Sequence, residues 1–217
     1  MSWTITGSQP FPAVIGEPFG GGYFAGYISH TADGNPTHAL IVAPAATGAT
    51  GTGYTLTTTL PQKTSNTTTV GTTSLFDGLS NTNAMVAAGI DDHPAAKFCV
   101  DLDIGGYSDW YLPAYEELQV AYFNLKPTND ANLDVYGASI YSVPTRQANY
   151  SAGYPAQTFH SLFAGGVESF SAETHHSSTD GNISTRTRFV SFVDGSTNLL
   201  SSKINNFNVR AFRRIAL

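Results

Sequence analysis

Gly105-Gly106-Tyr107-Ser108-Asp109-Trp110-Tyr111-Leu112-Pro113-Ala114-Tyr115-Glu116-Glu117-Leu118 is the stretch that decides the fold. It reads as a glycine turn, a bulky extended segment, and a helix opened by Pro113 at the first helical position, where the missing N–H costs nothing. Alternation along the extended segment puts Trp110 and Leu112 on one side, facing the core. The helix carries a buried stripe of Leu118, Ala121, Tyr122 and Leu125 and is stopped by Pro127. Glu116 and Glu117 fall in its first turn, where carboxylates complement the helix dipole. As sequence neighbours they point in different directions, so they read as dipole and capping residues and not as an acid/base couple.

Upstream, Asn81 or Thr82 is placed to cap a short helix through Ala88, with Gly89 as its stop. Asp92 is placed to cap a second, whose Ala95, Phe98, Cys99 and Leu102 share one face and make Cys99 a core residue. Residues 47–74 are almost entirely Thr, Gly, Ser and Asn. Two readings of this insertion (about 45–75) stand. One is a solvated segment with edge pairs at Thr55-Leu56-Thr57 and Thr67-Thr68-Thr69; the other is a surface packed on a neighbouring subunit. Earlier still, Tyr23–Ile28 and Ala39–Ala43 flank the turn Asp33-Gly34-Asn35-Pro36 and predict a hairpin. Residues 1–19 contain Pro10, Pro12 and Pro18 and read as an extended arm.

Downstream, Thr179-Asp180-Gly181-Asn182 is a turn, Arg186–Val193 alternates as a strand, and Asp194-Gly195 turns it back. Asn208–Ile215 is a closing strand. Strands, then helices, then strands predict an α+β fold with antiparallel or mixed sheets and two to three helices.

The chain has 217 residues, with 10 Lys+Arg against 16 Asp+Glu, and only 12% of it is charged. Its polar surface is expected to come from 26 Thr, 20 Ser and 13 Asn. At 41% hydrophobic it can bury a core, and a net charge of −6 argues against a nucleic-acid partner. No apolar run approaches the roughly 18 residues that span a bilayer, so no membrane partner is expected. Met1-Ser2-Trp3-Thr4 lacks the basic and apolar regions of a secretory leader, and Cys99 is alone. Folding in a cytoplasm is therefore expected.

Enzyme motifs are absent from the pattern. There is no Walker loop, no G-x-S-x-G elbow and no H-E-x-x-H, and Gly20-Gly21-Gly22 does not join a strand to a helix. His175-His176 with Asp180 offers two imidazoles and a carboxylate, but adjacent strand residues face opposite sides. Asp91-Asp92 and Asp101-x-Asp103 lack the dense ligand spacing of a calcium loop and read as helix-end carboxylates. No catalytic residue, metal or cofactor is expected.

The string from Gly105 to Leu118 resembles the "GGYSDWYLPS-x-x-EL" signature of the Lcl C-terminal-domain-like family. Gly21-Gly22-Tyr23-Phe24 with His38–Ala43 is similar to that family's opening hairpin. Asn81–Val86 and Ala95–Cys99 are similar to its first helical pair, His176-Ser177-Ser178-Thr179 to its "WSST" strand, and Val209-Arg210-Ala211-Phe212-Arg213 to its closing "VRA-x-R" strand. The resemblance runs in order from about residue 20 to the C-terminus. It implies a C-type-lectin-like fold with paired N- and C-terminal strands, and one domain over residues 20–217, where composition alone leaves one or two open. It also implies a setting, since members occur in bacterial surface adhesins and in bacteriophage particles. A related branch of enzymes relies on a cysteine pair, which this chain lacks.

The expected function is thus a non-enzymatic virion structural protein, a tail-fibre, tail-tip or receptor-binding component. A capsid decoration protein or head fibre, and a cell-surface adhesin domain binding glycans, are the alternatives. Partners are expected to be other virion subunits, further copies of the chain and a host surface glycan or protein. Candidate ligand contacts are Asn182, Arg186, Asn198, Asn205 and Asn206, whose amide and guanidinium groups suit sugar hydroxyls; turn formation is the plainer role for Asn198, Asn205 and Asn206. Trp110, Leu112, Pro113, Glu117, Arg210 and Arg213 are the structural set, with at least one of the two arginines expected to pair with a carboxylate such as Glu117.

Overall fold

His38–Val42 is a continuous apolar run after its histidine, and both of its faces are buried: Leu40 and Val42 enter one core, Ile41 and the following Ala43 another. This strand, β3, is the middle of the main sheet. The computed structural model describes residues 12–51, 58–133, 135–181, 183–197 and 201–217. β1 (Pro18–Phe19), β2 (Gly22–Ile28), β3 and the C-terminal β10 (Phe212–Ala216) follow one another in that order, all antiparallel, and β5 (Ser142–Val143) joins the far end of β2. A second sheet holds β6 (Thr174–Asp180), β7 (Arg186–Ser191) and β8 (Ser201–Ser202); β4 (Leu60–Pro61) pairs with β9 (Asn206–Phe207). With helices α1 (Ala45–Gly48), α2 (Gly78–Gly89), α3 (Pro94–Val100) and α4 (Tyr115–Leu125), the class is α+β. The N- and C-terminal strands do not pair as the resemblance implies: β1 and β10 stand at opposite edges of this sheet, and the last strand lies on β3 because the β2–β3 hairpin comes between them.

The diagnostic stretch is wedged between the two cores. Trp110 and Leu112 enter the core that also holds Ile41, Met85, Cys99 and Val209, while Tyr111 enters the one with Leu118, Tyr122 and Phe212. Tyr111 exchanges both backbone hydrogen bonds with Phe212, at 2.7 and 3.0 Å, so it extends the main sheet past β10 by a single residue. The expected stripe of α4 is fully buried, as is Cys99.

Helix starts differ from the sequence expectation by a few residues, for local reasons. α4 begins at Tyr115, because the Pro113 carbonyl accepts from Ser178 N (2.8 Å) and Ala114 stays extended. Glu117 caps it, its carboxylate accepting from Ala114 N and from Tyr111 Oη, each at 2.7 Å. α2 is capped by Asp77, whose Oδ1 accepts from Ser80 N, and Asn81 and Thr82 instead turn inward to Ser74 and to the Leu112 backbone. Pro94 opens α3 with His93 ahead of it, and Asp92 belongs to a short 3-10 turn.

The pairing expected between Glu117 and Arg210 or Arg213 does not form. The two arginines are an odd number of positions apart and reach different carboxylates. Arg210 meets Glu168 at 3.1 Å and the Ala43 carbonyl at 2.6 Å. Arg213 grips both oxygens of Asp109 at 2.7 and 2.9 Å, donates to Gly20 O, and stacks over Tyr107 with 4.0 Å between guanidinium carbon and ring centroid.

Two further expectations are corrected. The proline-bearing arm is docked over its described part. Gly16 N donates to Phe24 O, Phe24 N donates to Glu17 O, and Ile15 packs on the first core, because Ile15 and Phe19 are apolar enough to be drawn onto the sheet. The Thr-rich insertion is stitched down in its described part. The buried ammonium of Lys63 donates to Thr67 O, Thr68 O and Thr69 Oγ1, and that of Lys203 to Thr67 O and Asp180 Oδ2. Thr67–Thr69 therefore supply oxygens to cations and form no edge strand; Thr55-Leu56-Thr57 lies outside the described residues.

Arg213→Lys keeps the charge and loses both the two-pronged grip and the stacked plane, so it is expected to cost about 1–2 kcal/mol and lower the Tm in a thermal melt. Acid should weaken the fold. Burial holds His30 at about 4, His175 at about 3 and His176 at about 4, against an ordinary 6.5. The unfolded chain then binds protons that the folded one refuses, so stability is lost as pH falls from 6.5 towards 4. Burial pushes Glu117 up to about 7 from 4.5 and raises Glu116 as well, which stabilises in the opposite sense over the same acid range. These two carboxyls stand against five histidines, since burial lowers His38 and His93 too. Tm measured from pH 7 to pH 4 is expected to fall; a flat or rising profile would refute the balance.

Candidate functional site

Between α4 and β6 the chain runs from residue 126 to 173 with β5 as its one described strand, and long irregular segments of this kind are commonly functional. Buried polar side chains hold it. Lys126 Nζ donates to the carbonyls of Asp130 and Pro155. The Asn132 amide donates to Ser151 O, Ala152 O and Pro155 O, and its oxygen accepts from Tyr122 Oη. Gln157 Nε2 donates to Pro127 O at 2.7 Å, and Ser139 Oγ to Glu116 Oε2 at 2.6 Å.

This stapled segment encloses two hollows against α4. The first, about 320 Å³, is lined by Phe123, Asn124, Arg146, Asn149 and Tyr150 among others. The second, about 470 Å³, is lined by Val14, Ile15, Gln157, Phe159 and His160. Phe123, Asn124 and Tyr154 line both, so the two adjoin as lobes on either side of these residues, together called the groove. Tyr154 is 61% exposed and Phe159 fully exposed. Phe123 meets Tyr154 edge to face, with centroids 5.3 Å apart, and carries the Arg146 guanidinium over its ring at 4.9 Å. Arg146 Nε donates to Gly137 O at 2.7 Å, which fixes the plane. Glu116 lies behind this wall; burial raises its pKa, and the nearby Arg146 and Arg188 draw it back. Asn124 donates to Ala25 O at the bulge in β2, where a side chain at Gly26 would collide with that amide.

The residues expected to contact ligand sit elsewhere. Arg186 opens β7, half-buried, opposite Ser202. Asn205 makes the following turn: its N–H donates to Ser202 O, its amide to Ser201 Oγ, and its carbonyl accepts from His176 Nε2. Asn206 is exposed in β9 opposite Pro61. These three cluster around β8 and β9 and line neither lobe. Asn182 and Asn198 lie outside the described residues. His175 packs on Phe170 and Phe192 and His176 on Phe207, two different aromatic groups. Among the described residues no three His, Cys, Asp or Glu side chains are arranged to hold a metal ion. The groove residues follow no period along the chain; the signal the sequence holds for them is the dense aromatic and amide content of residues 146–160.

No protein-family model matches the chain, and no curated protein matches it significantly. Among solved structures it is similar to a fimbrial protein from Bacteroides ovatus ATCC 8483, with a TM-score of 0.43 and 16% identity over 80% of this chain and 35% of that one. The chain thus spans about a third of that protein's length, and a likeness this distant says nothing of ligand or partner.

Asn132→Ala removes an amide whose two N–H donors serve three carbonyls and whose oxygen accepts from the buried Tyr122 Oη. It is expected to cost about 2–3 kcal/mol and to raise amide hydrogen exchange across residues 130–156 more than in β3.

Proposed function

We propose that the chain is a non-enzymatic binding module of the Lcl C-terminal-domain-like type, carried on a bacteriophage particle at the tail fibre or tail tip, where it meets the host surface. One observation carries the binding role. The groove is lined by aromatic rings, amides, a single guanidinium and the His160 imidazole, with no carboxylate beside them, whereas the other described titratable clusters are spent on the fold: Asp77 serves Arg214, His30 and Ser80 N, and Glu117 caps α4. A pocket with few convergent polar groups and large aromatic surface suits recognition more than proton transfer. The phage setting draws on the ordered motifs from Gly21 to Arg213 and on a surface built from Thr, Ser and Asn, which suits subunit contacts and sugars alike. No cofactor is invoked.

Gold-labelled antibody against the chain, applied to intact particles, is expected to mark the tail. Label on the head would replace this reading with capsid decoration, and label on bacterial cells without particles would replace it with a surface adhesin.

A further inference from the structure

We propose that the two lobes form one saccharide-binding groove, with Tyr154 as the stacking platform between them. This rests on the reading of the chain as a binding module, and it gives that module a place distinct from the β7–β9 turns.

A pyranose presents an apolar face of C–H groups and a rim of hydroxyls, so its site needs a flat aromatic surface beside planar donors and acceptors. Both are present. Tyr154 leaves most of its surface in solvent while its neighbours Phe123 and Pro155 hold it, and it borders both lobes. Arg146, Gln147 and Asn149 line the first lobe, and Asn124 and Gln157 the second. Arg146, Asn124 and Gln157 are each tied by a hydrogen bond to a backbone carbonyl, so little side-chain entropy remains to be lost on binding. The two volumes lie in or near the range of small-molecule sites, roughly 300–1,000 Å³.

The backbone around the groove argues against an extended peptide, which would need an open row of N–H and C=O groups. Ser151 and Tyr154 bond each other in both directions, as do Ser139 and Arg146. The carbonyls of Ser151, Ala152 and Pro155 are taken by Asn132 and Lys126, and Pro144 and Pro155 have no N–H to offer. Recognition is left to side chains. No carboxylate lines either lobe, and Arg146 is the one Lys or Arg there, so neutral and acidic sugars are both admitted.

The test measures binding of the whole chain to immobilised oligosaccharides of neutral hexose, N-acetylhexosamine and uronic-acid type. Wild type is expected to bind at least one class, with Tyr154→Ala weakening it about tenfold and Asn149→Ala weakening it less, both at unchanged Tm. If wild type binds but both variants match it, while Arg186→Ala or Asn205→Ala abolishes binding, the groove assignment is overturned and the binding module stands. If wild type binds no saccharide in any class, the ligand class and the sugar-binding reading both fall. A short peptide that occupies the groove, as shown by Tyr154→Ala releasing it, would overturn the ligand class alone.

Discussion

Arg213 is the constraint on which the rest of the structure depends. Its guanidinium holds Asp109 with two parallel hydrogen bonds, lies on Tyr107, reaches Trp110 at 5.9 Å, and donates to the Gly20 carbonyl. Three distant pieces of chain are thereby fixed at one point: the glycine turn before β2, the bulky segment before α4, and the last strand. Asp109 is half exposed, so the ion pair alone contributes little. What matters is geometry. A planar fork between rings permits one arrangement of the three segments, and that arrangement sends Trp110 to one core and Tyr111 to the other. Glu117 then continues the same logic into α4 by capping the helix with the carboxylate that also accepts from Tyr111.

The scarcity of charge has a meaning that composition does not show. Of the 10 Lys and Arg residues, Lys63, Lys126, Lys203, Arg210 and Arg213 are buried. Each satisfies backbone carbonyls in segments that lack regular structure, or a carboxylate beside them. A chain rich in Thr, Gly and Asn forms few long strands and leaves many carbonyls unpaired; a buried ammonium with several acceptors stitches such a loop where a sheet would otherwise do so. The Thr-rich segment around Lys63 and the groove wall around Lys126 and Asn132 are two uses of one device. Its result at the groove wall is a segment held by side-chain hydrogen bonds where secondary structure is sparse.

Much of this fold is legible along the chain, where periodicity is strong. The α4 stripe, the helical face of Cys99, the opening hairpin and the alternation at Trp110 and Leu112 all follow from spacing of 3.6 or 2 residues. Boundaries are less legible because caps are competitive: Asn81 and Thr82 are good capping residues, yet buried carbonyls and hydroxyls elsewhere claim their side chains. Partner choice for the arginines is illegible in principle, since Asp109 and Glu168 lie 104 and 42 positions from Arg213 and Arg210. The groove is the least visible part, because Phe123, Arg146 and Tyr154 share no period and meet only when the loop is folded back on α4.

The sequence by itself determined the α+β order of elements, the wedge segment and its helix, and the burial of Cys99, because each depends on residues close together in the chain. Tertiary structure alone decided which carboxylate each arginine meets, how the Thr-rich segment is held, and where an open groove forms. Those depend on closing long loops, and a long loop's position is set by the few buried polar groups that anchor it, not by any pattern within it.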